Sequence, residues 1–312
     1  MSADKLIERL PRRLKMGELR VFVAVLEHRS FRKAATALHV TQPAVTKAIA
    51  GLEDMLEVKL FDRKADGIEP TVHGLAFAPH AIAIFGELRS AAQELAIVSS
   101  GAKGTLHIGT VPMPGVAFLP IAIKALVDDH PDIFVSVIEA RESDLAERLR
   151  KREIEIAILR SAMFIPGDDL RVDALFEERL CVLASRDHPL ATRQRVTWRE
   201  LLEHPWVLPP ADSPFFDHVR RSLDQLGIEL PRHVVESISI AFQYGMVLHG
   251  AMLSFGLRSQ LAFSPHKDFL VQLPVDLPSI TRHVGAVTLH AREPNPLAKQ
   301  LIEKIRCLIA DL

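Results

Sequence analysis

Only two cysteines, Cys181 and Cys307, occur in 312 residues, and they stand far apart in the chain. Their scarcity excludes a disulfide framework and a thiolate metal site, and it fits a reducing compartment. Long apolar runs are missing too. No stretch reaches the roughly 18 to 20 apolar residues that a bilayer requires, and the opening MSADKLIERLPRRLKMGELR is charged throughout. Neither a signal peptide nor a membrane span is expected, so the expected location is the cytoplasm. Catalytic signatures are equally absent. The sequence has no H-E-x-x-H, no G-x-S-x-G and no phosphate-binding loop, and its fourteen histidines form no close set with cysteine. Ser30-x-x-Lys33 matches an S-x-x-K pattern, but no S-D-N or K-T-G accompanies it. No enzymatic activity, metal or cofactor is therefore expected.

What is present is an ordinary globular composition, 48% hydrophobic and 25% charged, with a net charge of −1. The charge is unevenly spread. Residues 1 to 50 carry ten Lys or Arg against four acids, so a locally basic segment is joined to an acidic body. Such asymmetry is the footprint of a small polyanion-binding module, although a solvated basic helix would look the same.

Within the basic segment, Leu19, Phe22, Val23 and Leu26 recur at i, i+3, i+4, i+7, which predicts an amphipathic helix. Ser30 offers an N-cap, and Phe31, Ala34, Ala35 and Leu38 repeat the spacing. After His39 and Val40, Thr41 is positioned to cap a third helix. Pro43 falls in its first turn, where a missing N–H costs nothing. Val45, Ala48, Ile49 and Leu52 form its inward stripe, leaving Gln42, Pro43, Ala44, Thr46, Lys47 and Ala50 outside. A face that is small and polar at a helix N-terminus suits the major groove, because bulk would hold the backbone away from base edges. LFDRKADGIEPT then reads as a strand, an Asp66-Gly67 turn and a second strand, with Arg63 and Lys64 near the tip. Together these elements predict a winged helix-turn-helix. A small structural bundle would satisfy the same periodicity.

F31-x-x-A34-A35-x-x-L38, T41-Q42-P43-A44-V45-T46, I49-x-x-L52-E53, L60-F61-x-R63 and P70-T71-x-x-G74 stand in the order and spacing of one family. The chain resembles the LysR-type transcriptional regulators, departing from them at His73, where alanine is usual. The resemblance implies double-stranded DNA as partner, with the helix from Thr41 in the major groove and residues near Arg63 on the backbone. Arg32, Lys33, Thr41, Gln42, Pro43, Ala44, Thr46, Lys47, Arg63 and Lys64 are the candidate DNA-binding residues.

From Val72 to about Ser99 apolar positions keep helical spacing through Ile82, Phe85, Leu88, Ala92 and Leu95, with Pro79 expected to kink the helix. A long helix with one apolar stripe usually has a partner, and packing on the chain's own downstream domain is the alternative. In the resembling family it pairs with its twin, and the resemblance also implies tetramers and contact with RNA polymerase. SSGAKGT, residues 99 to 105, reads as a hinge.

Beyond the hinge, strands and helices alternate: TLHIGTV, a helix near 116 to 128, IFVSVIEA, a helix near 142 to 151 and IEIAILR. A second set runs through LCVLAS, WVLPP, HVVESI and MLSFG, before HVGAVTLHA and a closing helix from Pro296 to Leu312. The expected fold class is α+β multi-domain. It comprises a winged helix-turn-helix over 1 to 71, a linker helix over 72 to 100, and a two-lobed α/β effector domain over 101 to 312, similar to periplasmic binding proteins. Lobe I is expected at about 105 to 172 and 282 to 312, lobe II at about 173 to 281.

Ligands in open α/β sheets bind at the carboxyl ends of strands. Those ends place Thr110, Val111, Pro112, Met113, Arg160, Pro209, Phe255 and Arg258 as candidate effector-binding residues. Thr110 and the following helix N-terminus are expected to hold an anion, with Arg160 or Arg258 adding charge. Pro112, Met113 and Phe255 would form an apolar wall. The expected effector is a small carboxylate with an apolar portion. A second reading stays open at this point: a ligand-binding protein whose N-terminal helices serve only for assembly.

Overall fold

The computed structural model describes residues 3–64, 67–99, 103–160, 169–229, 231, 234–277, 282–290 and 293–310. The chain divides into two compact units, one of Met1–Gln93 with Arg150–Glu153, the other of Glu94–Leu149 with Ile154–Leu312.

The first unit opens with a helix that the charged N-terminus concealed, α1 (Ala3–Arg13). Its Leu6 and Leu10, with Leu14 just beyond, recur every fourth residue and pack against the unit's core. Helix α2 (Met16–His28) buries Leu19, Phe22, Ala24 and Val25, and ends with Arg29 in the left-handed conformation at φ 46. Ser30 then caps α3 (Phe31–Leu38) as expected, its hydroxyl accepting from Lys33 N at 3.3 Å. His39, again left-handed at φ 55, turns the chain within three residues into α4 (Gln42–Leu56), and Thr41 caps it by accepting from Ala44 N. The expected inward stripe is present: Val45, Ile49 and Leu52 are buried. Strands β1 (Phe61–Lys64) and β2 (Gly67–Pro70) pair antiparallel, so the wing is present. The expected Asp66 half of its turn lies outside the described residues. Ile68 N donates to Arg29 O at 3.3 Å, which docks the wing on the α2–α3 turn. Helix α5 (Val72–Ser99) runs through Pro79.

The second unit holds two five-stranded sheets. The first has the order β4-β3-β5-β12-β6 and comprises β3 (Gly104–Thr110), β4 (Ile133–Glu139), β5 (Ile156–Arg160), β6 (Leu170–Glu178) and β12 (Arg282–Leu289). Strands β4, β3 and β5 pair parallel, β12 pairs antiparallel with β5, and the edge strand β6 pairs antiparallel with β12. The helix expected near 116 to 128 is α7 (Leu119–Asp129), and a separate short helix, α6 (Pro112–Val116), precedes it, because the backbone leaves helical angles at Ala117 and Pro120 falls in the first turn of the new helix. Helix α8 (Glu142–Arg150) and the closing α13 (Pro296–Ile309) complete this lobe, where α7 and α13 cover a core that includes Leu106, Ile108, Leu126, Ile158, Leu301 and Ile305.

The second sheet has the order β11-β7-β10-β8-β9, from β7 (Leu180–Ser185), β8 (Trp206–Leu208), β9 (Val234–Glu236), β10 (Leu253–Leu257) and β11 (Leu270–Gln272). Helices α9 (Trp198–Leu202), α10 (Pro214–Gln225), α11 (Ile240–His249) and α12 (Arg258–Phe263) accompany it. Two lobes with the chain crossing between them were expected, but the boundary near 172 needs correction. Strand β6 pairs with β12 along its whole length, from Leu170 opposite Leu289 to Glu178 opposite Arg282, and so belongs to the first lobe. Leu170 to Ala174 alternate apolar and polar, but Leu175 and Phe176 are adjacent apolar residues and break the period, so the strand signal is short.

Candidate nucleic-acid interface and ligand cleft

The first turn of α4 combines three local constraints. Thr41 caps it, Pro43 stiffens it without losing a hydrogen bond, and Val45 anchors it from below. Gln42, Pro43, Ala44 and Lys47 are left exposed and Thr46 half-buried, while Arg32 and Lys33 are exposed on α3. The outward face is therefore sterically slim and rimmed by cations, while the first-turn N–H groups are spoken for, since Pro43 has none and Ala44 N is held by Thr41. At the other end of α4, buried Glu53 accepts from Leu60 N and Phe61 N, tying α4 to the start of the wing. Lys64 projects from the wing in an ion pair with Glu69, and that carboxylate raises the ammonium pKa above its ordinary value. Arg63 stands opposite Ile68 in the hairpin register.

Several expected ligand residues lie elsewhere than foreseen. Phe255 is 1% exposed and sits in the second lobe's core, its ring 4.8 Å from that of Trp206, so it forms no cleft wall. Thr110 is buried and its hydroxyl donates to Ile158 O and Val111 O, which leaves no proton for an anion. The helix after it offers little more, since α6 is five residues long and two of them, Pro112 and Pro114, lack an N–H. Val111 and Pro209 are also buried, and Pro112 is half-buried. Met113, from the first lobe, packs into the second lobe's cluster with Leu180 and Leu257 and so joins the two lobes.

Arg160 is different. It ends β5, is 9% exposed, and its guanidinium carbon lies 4.9 Å from the ring centroid of Phe215 on α10. A cation of one lobe is thus stacked on an aromatic of the other. Close by, Glu178 is 2% exposed and accepts from Arg179 N and Ser259 N, both at 3.2 Å. Burial pushes its carboxyl above the ordinary range, opposed by those hydrogen bonds and by the charge of Arg160. Arg258, exposed, begins α12 beside Ser259. Phe215 and Glu178 were missed from sequence. The Ser213-capped start of α10 after a strand end signalled the first, whereas an acid inside a Glu-Glu-Arg strand end gave no signal for the second.

A winged helix-turn-helix whose α4 exposes its first turn, joined by a long helix to a two-lobed α/β body, defines a DNA-binding regulator with a ligand-binding domain. Comparison with known proteins agrees: residues 16–75 match the bacterial regulatory helix-turn-helix protein, lysR family, and residues 99–308 match the LysR substrate binding domain. The chain belongs to the LysR family of transcriptional regulators. It is 33% identical over 274 residues to the HTH-type transcriptional regulator GbpR of Azospirillum brasilense, covering 84% of this chain and 80% of that one. In fold it is similar to full-length OxyR of Pseudomonas aeruginosa, with a TM-score of 0.59 at 23% identity over 95% of each chain. It is also similar to full-length CbnR in complex with its target DNA, with a TM-score of 0.52 at 23% identity, covering 95% of this chain and 99% of that one.

Proposed function

We propose that the chain reads an operator through Gln42, Thr46 and Lys47, assisted by Arg32, Lys33, Thr41, Pro43 and Ala44. Arg63 and Lys64 hold the phosphate backbone from the wing. The observation that carries this reading is the first turn of α4, capped by Thr41 and exposed on a helix whose opposite face is core. α5 pairs with its twin, so the operator has inverted half-sites, and pairs assemble into tetramers that contact RNA polymerase. Exposed Val72, Leu75, Leu88 and Leu95 on α5 support the pairing.

The effector is a small carboxylate with an apolar portion, held by Arg160 with help from Arg258 and covered by Phe215. Arg160 beneath the Phe215 ring supports it, since a guanidinium offers a planar fork to a carboxylate while the ring excludes water. The protein works by binding rather than catalysis, in the cytoplasm. No helix among the described residues is long and apolar enough to cross a membrane.

A gel-shift titration tests the DNA reading. Affinity should fall steeply with salt and depend on sequence, and Gln42→Ala should alter which sequences are preferred. Unchanged discrimination in that variant would misplace the recognition face, and an absence of both salt and sequence dependence would favour a module that only assembles the protein. For the effector, a thermal-shift panel of carboxylates, sugars and amines should single out carboxylates, with the response lost in Arg160→Met. A panel in which nothing moves the melting point counts against the ligand.

A further inference from the structure

Helix α1 lies outside residues 16–75, the span matched by the family's helix-turn-helix, yet it makes a specific polar contact with α4. Arg9 Nη1 donates to Met55 O at 2.8 Å and to Glu57 Oε1 at 2.7 Å. Met55 belongs to the last turn of α4, where carbonyls have no partner within the helix and the dipole is negative. Glu57 is the C-cap, left-handed at φ 60, with its own N–H on Glu53 O. A cation from a separate helix therefore closes the end of α4 opposite to its exposed first turn. Leu6, Leu10 and Leu14 seat α1 on the same core as α4, so the position of Arg9 is fixed by packing.

We propose that Arg9 is a positioning residue for DNA reading: it sets the tilt of the recognition helix from the far end. This rests on the reading of α4 given above. A fifteen-residue helix is about 22 Å long, so a tilt of about 5° at one end displaces the other by roughly 2 Å. That distance separates a bidentate base contact from none. Phosphate contacts through long side chains tolerate such a shift, so the loss falls on discrimination and not on general affinity.

The test uses the full chain and a duplex selected by the wild-type protein from random sequence, compared with a scrambled duplex. Dissociation constants and salt slopes are measured for wild type, Arg9→Ala, Arg9→Met and Arg9→Lys, each confirmed folded at the assay temperature by circular dichroism. In the Ala and Met variants the ratio of selected to scrambled affinity should fall by about tenfold, while scrambled affinity and salt slope hold. Arg9→Lys should restore most of the ratio, because one ammonium can donate to both oxygens. An unchanged ratio in Ala and Met overturns the proposal, whatever happens to the melting point. If those variants unfold, Glu57→Ala, which removes the carboxylate that holds Arg9, carries the same comparison, and an unchanged ratio there overturns it equally. A wild type that selects no duplex removes the operator reading itself, and this inference with it. Discrimination by wild type and variants alike removes only the inference.

Discussion

Glu53, near the end of α4, accepts a hydrogen bond from the backbone N–H of Leu60 at 2.9 Å, and the same carboxylate oxygen takes Phe61 N at 3.3 Å. The other oxygen meets Lys59 Nζ at 2.6 Å. Glu53 is 7% exposed, so two buried backbone donors depend on one side-chain atom. Glu53→Ala should destabilise the protein by about 2 to 4 kcal/mol, the cost of stranding both donors. Glu53→Gln keeps one acceptor oxygen and should cost less than about 1 kcal/mol. Urea titration of the two variants checks this, and equal losses would show that the charge matters more than the acceptor.

Gly74 tests the seat of the wing on α5. A Cβ there would lie 2.1 Å from Leu60 O and 3.3 Å from Pro70 Cβ. Glycine to alanine inside a helix normally stabilises by about 1 kcal/mol. Here a backbone carbonyl blocks the site, so Gly74→Ala should instead destabilise by about 2 kcal/mol, as overpacking does. A raised melting point in that variant would falsify the close approach.

The Lys64–Glu69 ion pair on the wing links electrostatics to binding. If Lys64 meets phosphate, Glu69→Gln should tighten binding to every duplex alike and steepen the log-log salt slope by about one unit. Lys64→Ala should do the reverse. Both are read from affinity measured over a salt series, and a slope unmoved by either change would place the wing away from the backbone.

His188 gives a pH dependence with a defined sign. It is 3% exposed in the second lobe, with its ring centroid 4.6 Å from that of His204. Burial, and then the charge of His204, hold its pKa below the ordinary histidine value. The unfolded chain therefore binds the proton more readily, so the stability is complete above pH about 6.5 and declines as pH falls below it. His188 Nδ1 accepts from Leu190 N at 3.2 Å, an acceptor role that the amide oxygen of Asn can fill. From pH 7.5 to 5.5 the melting point of wild type should fall more steeply than that of His188→Asn. Parallel curves would show that His188 does not titrate on unfolding.

Local signals were the legible ones. Ser30, Thr41 and Pro43 announce helix starts by chemistry confined to one turn, and the structure places α3 and α4 where those signals stand. Strands buried on both faces, such as β5 and β7, also stood out as largely continuous apolar runs. Helix α1 did not, because three leucines among charges form a stripe too thin to notice until a core exists to receive it. Nor did β6, whose partner β12 is about a hundred residues away in sequence.

By itself the chain order determined a basic reading head, a long helix and a two-lobed α/β body, because caps, periodicity and turn residues act over a few positions. Tertiary structure alone decided how side chains were committed. Phe255 went to a core, the Thr110 hydroxyl went to carbonyls, and Phe215 came to lie over Arg160 from the other lobe. Burial and stacking depend on which distant surfaces meet, and no local pattern encodes the distance between residues 160 and 215 or between 9 and 55.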